Sequence, residues 1–315
     1  MTAPAPLPTK DGVGPSCVAL PPGPWATIGD FLVDRFPAVS AETWRSRMQQ
    51  GEFVDEHGVA VEPGRPYRVS LRLYYYRSIA DEPRVPFDEI VLFQDDLLVV
   101  ADKPHFLPVT PGGRHLQETL LVRLKRRLGI DTLAPVHRLD RETAGVVVFT
   151  VKPHTRGAYQ SLFAQREVMK QYEAIAPWRP ERSFPLTHRS RLAQDDHFLR
   201  MREVPGAPNS ETLFEVLEAG DEWARYRLTP LTGRTHQLRV HCAAIGMPIA
   251  GDRMYPTLQA ADTDDHERPL QLLARAISFV DPISGEARQF ASARALASIQ
   301  DVVRLTPRGV PPAHR

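Results

Sequence analysis

A polar segment that runs directly into an apolar, β-branched run constrains this chain more than any other feature. The run at residues 146–151 is apolar at nearly every position, which is typical of a strand buried on both faces. It follows a turn of small residues, Thr143-Ala144-Gly145, and that turn follows the isolated carboxylate of Asp140. We therefore predict a buried strand with a loop at its edge, where substrates can reach Asp140.

The charges around Asp140 indicate what its carboxylate could do. Arg138 and Arg141 flank it, and positive neighbours favour the ionised form of a carboxylic acid. An ionised carboxylate on an accessible loop can act as a nucleophile or as a general base. By itself, the segment is equally compatible with a surface ion pair.

The remaining hydrophobic pattern predicts an α+β fold. Candidate strands arrive in pairs and outnumber the helices, which favours a mixed, largely antiparallel β-sheet flanked by helices. The candidate strands are residues 90–93, 97–101, 146–151, 172–176, 211–218 and 223–230. A helix is predicted at 235–245, closed by Gly246. Its residues Leu238, Cys242 and Ile245 share one side, which leaves Arg239 on another.

Composition along the chain predicts four segments. Residues 1–24 contain seven prolines and are interpreted as a flexible leader. Residues 25–80 form a small N-terminal α/β module with helices beginning near Ile28 and Ala41. The catalytic domain spans residues 86–305, and residues 306–315 form a loose tail.

Overall charge and hydropathy narrow the class of protein. No apolar run is long enough to span a bilayer and no signal-peptide pattern is present, so we expect a cytoplasmic protein with reduced cysteines. The net charge is only +1, but basic residues cluster in one predicted helix, which suits a phosphate backbone. A solvated helix face is the alternative. The candidate phosphate contacts are Arg123, Lys125, Arg126 and Arg127.

Five segments resemble the motifs of the RluA-type pseudouridine synthases, and they follow one another along the chain in the same order as in that family. His137-Arg138-Leu139-Asp140-Arg141-Glu142-Thr143-Ala144-Gly145 resembles the family's H-R-L-D signature, with Ala144 in place of the commoner serine. Segments 99–104, 167–172, 233–252 and 272–282 resemble the other motifs. Three residues depart from the family's usual choices: Asp102 replaces asparagine, and Ala274 and Arg275 replace a His-Ala pair. The N-terminal module loosely resembles a degenerate alpha-L RNA-binding module; a structural cap without RNA contact is the alternative.

The resemblance implies an RNA pseudouridine synthase, an isomerase of uridines in ribosomal or transfer RNA that needs no cofactor. Asp140 stands at the position of the catalytic aspartate, Tyr172 at that of the active-site tyrosine, and Arg239 at that of its ion-pair partner. Leu238 lines the uracil pocket or packs in the core, and Arg138 fills the gap left by the extruded base. Further substrate contacts are expected from His137, Arg141 and Lys170.

Other functions are less consistent with the sequence. His236 and His241 are five residues apart and lack a cysteine or carboxylate cluster, so we expect no metal. The string at 137–140 differs from a kinase catalytic loop, and no glycine-rich nucleotide loop is present. A noncatalytic RNA-binding protein and a nucleoside hydrolase remain alternatives, and a monomer is the default expectation.

Overall fold

The computed structural model describes residues 6–79, 81–259 and 264–305. These residues form two compact units. The first combines the chain up to Pro83 with Pro111–Asp131, and the second combines Arg84–Thr110 with the chain from Thr132 onward. The predicted tail, residues 306–315, lies outside the described residues. None of the described helices is long and apolar enough to cross a membrane.

The first unit packs three helices with a small antiparallel sheet of order β1-β3-β2. Its elements are β1 (Ser16–Ala19), α1 (Ile28–Arg35), α2 (Ala41–Gln49), β2 (Phe53–Asp55), β3 (Arg72–Tyr75) and α3 (Leu120–Leu128). Thr27 and Asp30 form a capping box that begins α1. Its core contains Ile28 of α1 and Trp44 of α2.

Two segment boundaries predicted from the sequence differ from those of the structure. Residues 16–19 are not a flexible leader, because β1 pairs with β3 and Leu20 is buried in the same core. The prolines lie outside the paired residues, so they do not interrupt the ladder. The predicted catalytic domain also included the basic helix α3, which belongs to the first unit instead. Val122 of α3 is packed in a cluster with Val13 and Leu116.

The second unit is built on one mixed, mostly antiparallel eleven-stranded sheet, as predicted. The strand order is β10-β9-β11-β12-β8-β13-β7-β5-β4, with β14 on β13 and β6 on β7. The strands are β4 (Ile90–Gln94), β5 (Leu98–Lys103), β6 (Ala134–Pro135), β7 (Ala144–Thr150), β8 (Met169–Pro177), β9 (Leu186–Gln194), β10 (Met201–Val204), β11 (Ser210–Ala219), β12 (Trp223–Pro230), β13 (Leu272–Val280) and β14 (Ala287–Ala291). The helices are α4 (Arg156–Gln165), α5 (Gln237–Ala244) and α6 (Ile299–Leu305), and a 3-10 turn, Pro153–Thr155, precedes α4.

The central strand β7 confirms the buried strand predicted from the sequence. Every residue of β7 is buried, and β7 pairs antiparallel with β5 and parallel with β13. Ala144 is fully buried among apolar side chains, which suits alanine in place of the polar serine. Asp102, at the end of β5, accepts hydrogen bonds from the Ser292 hydroxyl and lies 3.5 Å from Arg294. The buried carboxylate is therefore paired.

Gly145 can only be glycine at the point where β7 meets β13. Its φ is +117°, and a Cβ atom there would lie 2.3 Å from the carbonyl oxygen of Ala274. We expect Gly145→Ala to lower the free energy of unfolding by roughly 3 kcal/mol or more, measured by urea denaturation. Gly157→Ala is the matched control: nothing approaches its Cβ in α4, so it should leave stability unchanged or slightly raised. Equal stability of both variants would contradict this reading.

Candidate active site

The second unit contains a cleft of about 300 Å³ where its signature segments converge. The segment after β6 forms one wall, β8 and the end of β12 form the floor, and the start of α5 forms the other wall. Of the predicted site residues, the cleft brings together His137, Arg138, Asp140, Lys170, Tyr172, Leu238 and Arg239. Thus segments more than 90 residues apart in the chain form one site, as the order of motifs predicts.

The loop that carries Asp140 is fixed by contacts on both sides. The amide of Thr143 donates to the carbonyl of Asp140 at 3.2 Å, closing a turn before β7. Lys103 is fully buried at the end of β5, and its ammonium group donates to the carbonyl of Arg141 at 3.0 Å. Burial lowers the pKa of Lys103 to about 7, although the charges of Glu142 and Asp140 oppose this. The loop therefore holds Asp140 with little freedom.

His137 anchors the start of the same loop. Its Nε2 accepts the amide hydrogen of Val148 at 3.1 Å, and its ring stacks on Phe163 with the centroids 4.9 Å apart. Burial lowers the pKa of His137 to about 3, so the ring is neutral. These contacts give His137 a structural role in the cleft wall; its predicted contact with substrate remains a prediction.

Arg239 is oriented by a carboxylate that the sequence interpretation missed. Its Nε and Nη2 donate to Asp252 at 2.8 and 2.7 Å, and both side chains are buried. Its Nη1 lies 3.7 Å from Asp140, beyond hydrogen-bond distance. The predicted pairing of Arg239 with Asp140 is therefore long-range, and the direct partner is Asp252. The turn at 246–252 brings Asp252 into place, which local spacing alone could not show.

Glu142 is a third acid beside Arg239, after Asp252 and Asp140. Its carboxylate lies 3.6 Å from Nη1 of Arg239, and among the described residues this buried nitrogen has no hydrogen-bond partner. Burial raises the pKa of Glu142, but the charges of Arg239 and Arg141 outweigh it and the net shift is downward. Nη1 thus points between two carboxylates, and it is placed to bind an oxygen that a substrate presents there.

His236 brings a further polar group to Asp140. Its Nε2 lies 3.8 Å from Oδ1 of Asp140, and its Nδ1 is 2.9 Å from the hydroxyl of Tyr255. That hydroxyl also accepts the amide hydrogen of Met201. Nε2 of His236 faces Asp140 at a separation beyond hydrogen-bond distance. Burial keeps the pKa of His236 low, although the charge of Asp140 opposes this. His236 was not among the predicted site residues, although it lies inside the motif at 233–241.

Tyr172 and Leu238 both line the cleft. Tyr172 projects from β8, and burial, together with the charge of Asp140, raises the pKa of its hydroxyl far above the ordinary value. The hydroxyl therefore stays protonated. Leu238 belongs to the apolar cluster that also holds Cys242 and Ile245, as its helical spacing predicts, and it also faces the cleft. Helix α5 begins at Gln237 rather than at residue 235.

The remaining predicted contacts lie in different places. Arg138 is exposed at the rim of the cleft. Arg141 is occupied, because both of its terminal nitrogens donate to Asp264 at 2.7 Å. Arg123 of helix α3 forms an ion pair with Glu118, whereas Arg126 and Arg127 are exposed. Arg138 therefore lies beside the site, whereas the guanidinium of Arg141 is bound to Asp264. Helix α3 belongs to the first unit.

One cluster among the described residues has the donor atoms of a metal site. Candidate atoms of His188, Glu203 and His241 lie within 4.8 Å of one another. Hydrogen bonds account for them: Nε2 of His188 contacts Glu203 at 2.7 Å, and both nitrogens of His241 contact hydroxyl groups. Those hydroxyls belong to Ser190, Ser210 and Thr212. The expectation that no metal takes part remains a prediction.

Three histidines make the stability of this unit sensitive to acid. Burial lowers the pKa of His137 to about 3 and those of His105 and His241 to about 4. In the unfolded chain each pKa is about 6.5, so the unfolded state takes up protons first and stability falls as the pH drops below about 6.5. Between pH 7.5 and 5.0 we expect the free energy of unfolding to fall by at least about 2 kcal/mol.

Urea denaturation at the two pH values tests this expectation. His137→Gln is the diagnostic variant, because a carboxamide oxygen can accept the Val148 amide without titrating. It should lose less stability between pH 7.5 and 5.0 than the unaltered protein. An unfolding free energy that is the same at both pH values would contradict the assignment of neutral, buried rings.

Comparisons with known proteins agree with the signature segments. A family model described as RNA pseudouridylate synthase matches residues 97–244. The dual-specificity RNA pseudouridine synthase RluA of Haemophilus influenzae is 32% identical over 211 residues, which cover 66% of this chain and 94% of that protein. An uncharacterized RNA pseudouridine synthase of Synechocystis sp. is 30% identical over 231 residues, 72% of this chain and 78% of that protein.

A solved structure shows the same fold. Human RNA pseudouridylate synthase domain containing 4 has a TM-score of 0.52 and 27% identity. The match covers 67% of this chain and 90% of that chain. The likeness supports the mixed α+β sheet of the second unit as the fold that carries the cleft.

Proposed function

The chain belongs to the RNA pseudouridylate synthase family and is an RNA pseudouridine synthase, and we propose that it isomerises uridines of ribosomal or transfer RNA with Asp140 as the catalytic carboxylate. The observation that supports this most is the position of Asp140. It is the carboxylate of the cleft that faces both Arg239 and His236, at 3.7 and 3.8 Å. Several relatives are named as dual-specificity enzymes, so both RNA classes belong in the test.

Asp140 has two chemically balanced routes to the product. It attacks C1′ of the ribose and displaces uracil, or it removes a proton from C2′ so that the bond from C1′ to N1 breaks. Uracil then turns in place and C5 bonds to C1′: in the first route C5 displaces the aspartate from C1′, and in the second a proton returns to C2′. In both routes the C5 proton leaves, and N1, whose bond to C1′ was broken, gains a proton. No electrons are exchanged with an external group, so the isomerisation requires no redox partner. The two routes remain alternatives.

Arg239 and Tyr172 support the reaction, but neither attacks C1′ nor removes the C2′ proton. Nη1 of Arg239 holds positive charge 3.7 Å from the Asp140 carboxylate. Tyr172 presents its ring to the extruded uracil for stacking. Because its hydroxyl keeps its proton, Tyr172 acts in the free enzyme as a hydrogen-bond donor rather than as a base.

The size of the cleft requires the target base to leave the RNA stack. A volume of about 300 Å³ accommodates one nucleotide but not a paired helix. Enzymes that act on a base in a helix extrude it, and the vacated space must then be filled. Arg138 is exposed at the rim and is our candidate for that space. Lys170, on β8, contacts the nucleotide from the floor.

The basic helix α3 is proposed to contact the RNA backbone. Arg126 and Arg127 are exposed there, and Arg123 and Lys125 lie beside them. Phosphate contacts of this kind weaken as salt rises, so charge reversal at Lys125, Arg126 and Arg127 should weaken RNA binding and lower its salt dependence. An unchanged affinity of this variant for RNA would show that α3 does not contact the RNA backbone.

Nucleoside analysis tests the proposed substrate. Purified protein is incubated with in vitro transcribed ribosomal and transfer RNA, which are then digested and separated by chromatography. We expect pseudouridine in at least one of the two RNA classes. RNA that is bound but gains no pseudouridine would instead indicate the alternative function, a noncatalytic RNA-binding protein on the same scaffold.

A further inference from the structure

A second cavity of about 310 Å³ continues from the active-site cleft. The two cavities share wall residues from α4, β8 and the turn after β12, namely Phe163, Lys170, Thr232, Gly233 and Arg234. The second cavity therefore adjoins the cleft that we propose for the target nucleotide.

The charge of the second cavity is uniformly positive. Its charged lining residues are Arg166, Lys170 and Arg234, and neither aspartate nor glutamate lines it among the described residues. Within the described part of the chain, none of these three cations forms an ion pair with a carboxylate. Lys170 contacts the carbonyl of Thr232 at 3.4 Å, and Arg234 donates to the carbonyl of Asn209 at 3.3 Å. Three cations, two of which contact neutral carbonyl oxygens, suit an anionic ligand.

Part of the remaining wall is apolar, beside the polar Asn209 and Thr232. Leu231 is 46% exposed, and Phe163 and Val168 continue the surface. A phosphate next to an apolar face is the chemistry of a nucleotide, whose base covers apolar surface while its phosphate meets arginine or lysine.

Arg166 occupies a backbone position that favours glycine. It ends helix α4 in the left-handed conformation, with φ at +63°. An arginine there costs about 1 kcal/mol relative to a relaxed backbone, and glycine removes that strain. The side chain of Arg166 therefore contributes nothing that helix termination requires.

We propose that this second cavity binds the nucleotide adjacent to the target uridine, with its phosphate held by Arg166, Lys170 and Arg234. The proposal rests on the proposed function, because it takes the cleft as the site of the target. It adds a subsite in which the positive charges bind the phosphate of the adjacent nucleotide and the apolar part of the wall contacts its base.

Arg166→Gly tests the subsite, because it removes the cation and relieves the backbone. The probe is a fluorescein-labelled uridine pentaribonucleotide, titrated at several salt concentrations. We expect the Kd to rise about tenfold, and the dependence of log K on log salt to become shallower by about 0.7, the loss of one phosphate contact on a single strand. Thermal unfolding should show equal or higher stability. Arg182→Gly, an exposed arginine that lines neither cavity, should leave the Kd within about twofold.

A methylphosphonate placed immediately 5′ or 3′ of the central uridine shows which phosphate is bound. At the bound position the methylphosphonate should weaken RNA binding by the unaltered protein clearly more than binding by Arg166→Gly, in which only Lys170 and Arg234 remain to contact that phosphate. Unchanged affinity of Arg166→Gly, equal weakening by Arg182→Gly, or methylphosphonate effects of the same size in Arg166→Gly and the unaltered protein at both positions would each overturn the subsite. Failure of the proposed function has a different signature, since no pseudouridine would then form with any variant.

Discussion

Asp140→Asn is expected to lower kcat for pseudouridine formation by at least about 10⁴-fold, the scale typical of removing a nucleophile or essential base. Asparagine keeps the size of the side chain but can neither attack C1′ nor accept a proton from C2′. Among the described residues the Asp140 carboxylate accepts no hydrogen bond, and its contacts with Arg239 and His236 are 3.7 and 3.8 Å long, so the fold should tolerate the change. Single-turnover assays with saturating enzyme measure the rate.

The control for this prediction is a carboxylate outside the cleft. Asp196 is exposed in the loop between β9 and β10, and Asp196→Asn should keep full activity. RNA affinity of Asp140→Asn should stay within about threefold, because the carboxylate adds nothing to phosphate binding. Pseudouridine formation by Asp140→Asn at the rate of the unaltered protein would show that another group performs the chemistry.

Arg239→Met is expected to lower the free energy of unfolding by about 3–5 kcal/mol, because it leaves the buried carboxylate of Asp252 without its partner. Activity should fall as well, since Nη1 no longer holds positive charge beside Asp140. Urea denaturation and single-turnover assays measure the two effects separately.

A double variant separates the structural role of Arg239 from its electrostatic role. Asp252→Asn still accepts the amide hydrogens of Met254 and Tyr255, so Arg239→Met with Asp252→Asn should recover much of the lost stability. Activity should stay low in the double variant, because the charge beside Asp140 is still absent. Recovery of both properties together would mean that Arg239 acts only through the fold.

The sequence predicted the parts of the site that depend on local pattern. The apolar run at 146–151 identified β7, and the motif positions identified Asp140, Tyr172 and Arg239, which line one cleft. The spacing of Leu238 and Cys242 predicted correctly which side of α5 faces the core. These features follow from periodicity and motif order, which are properties of short segments.

The parts that were missed depend on contacts between distant segments. Asp252 reaches Arg239 only because a turn after α5 folds back onto the helix, and Tyr255 then orients His236. Similarly, residues 16–19 lack any strong strand signal, and they are ordered by pairing with β3, more than 50 residues later in the chain. The proline content around them suggested flexibility, but backbone hydrogen bonds to a distant strand outweigh local preference.

The most direct test of Asp140-dependent isomerisation uses RNA whose uridines carry tritium at C5. Forming the bond from C5 to C1′ expels that hydrogen, so the unaltered protein should release tritium to water in an amount equal to the pseudouridine formed. Asp140→Asn should release none, and no free uracil should accumulate with either protein. Free uracil without pseudouridine would indicate a hydrolase, and tritium release by Asp140→Asn would contradict the assignment of the catalytic carboxylate.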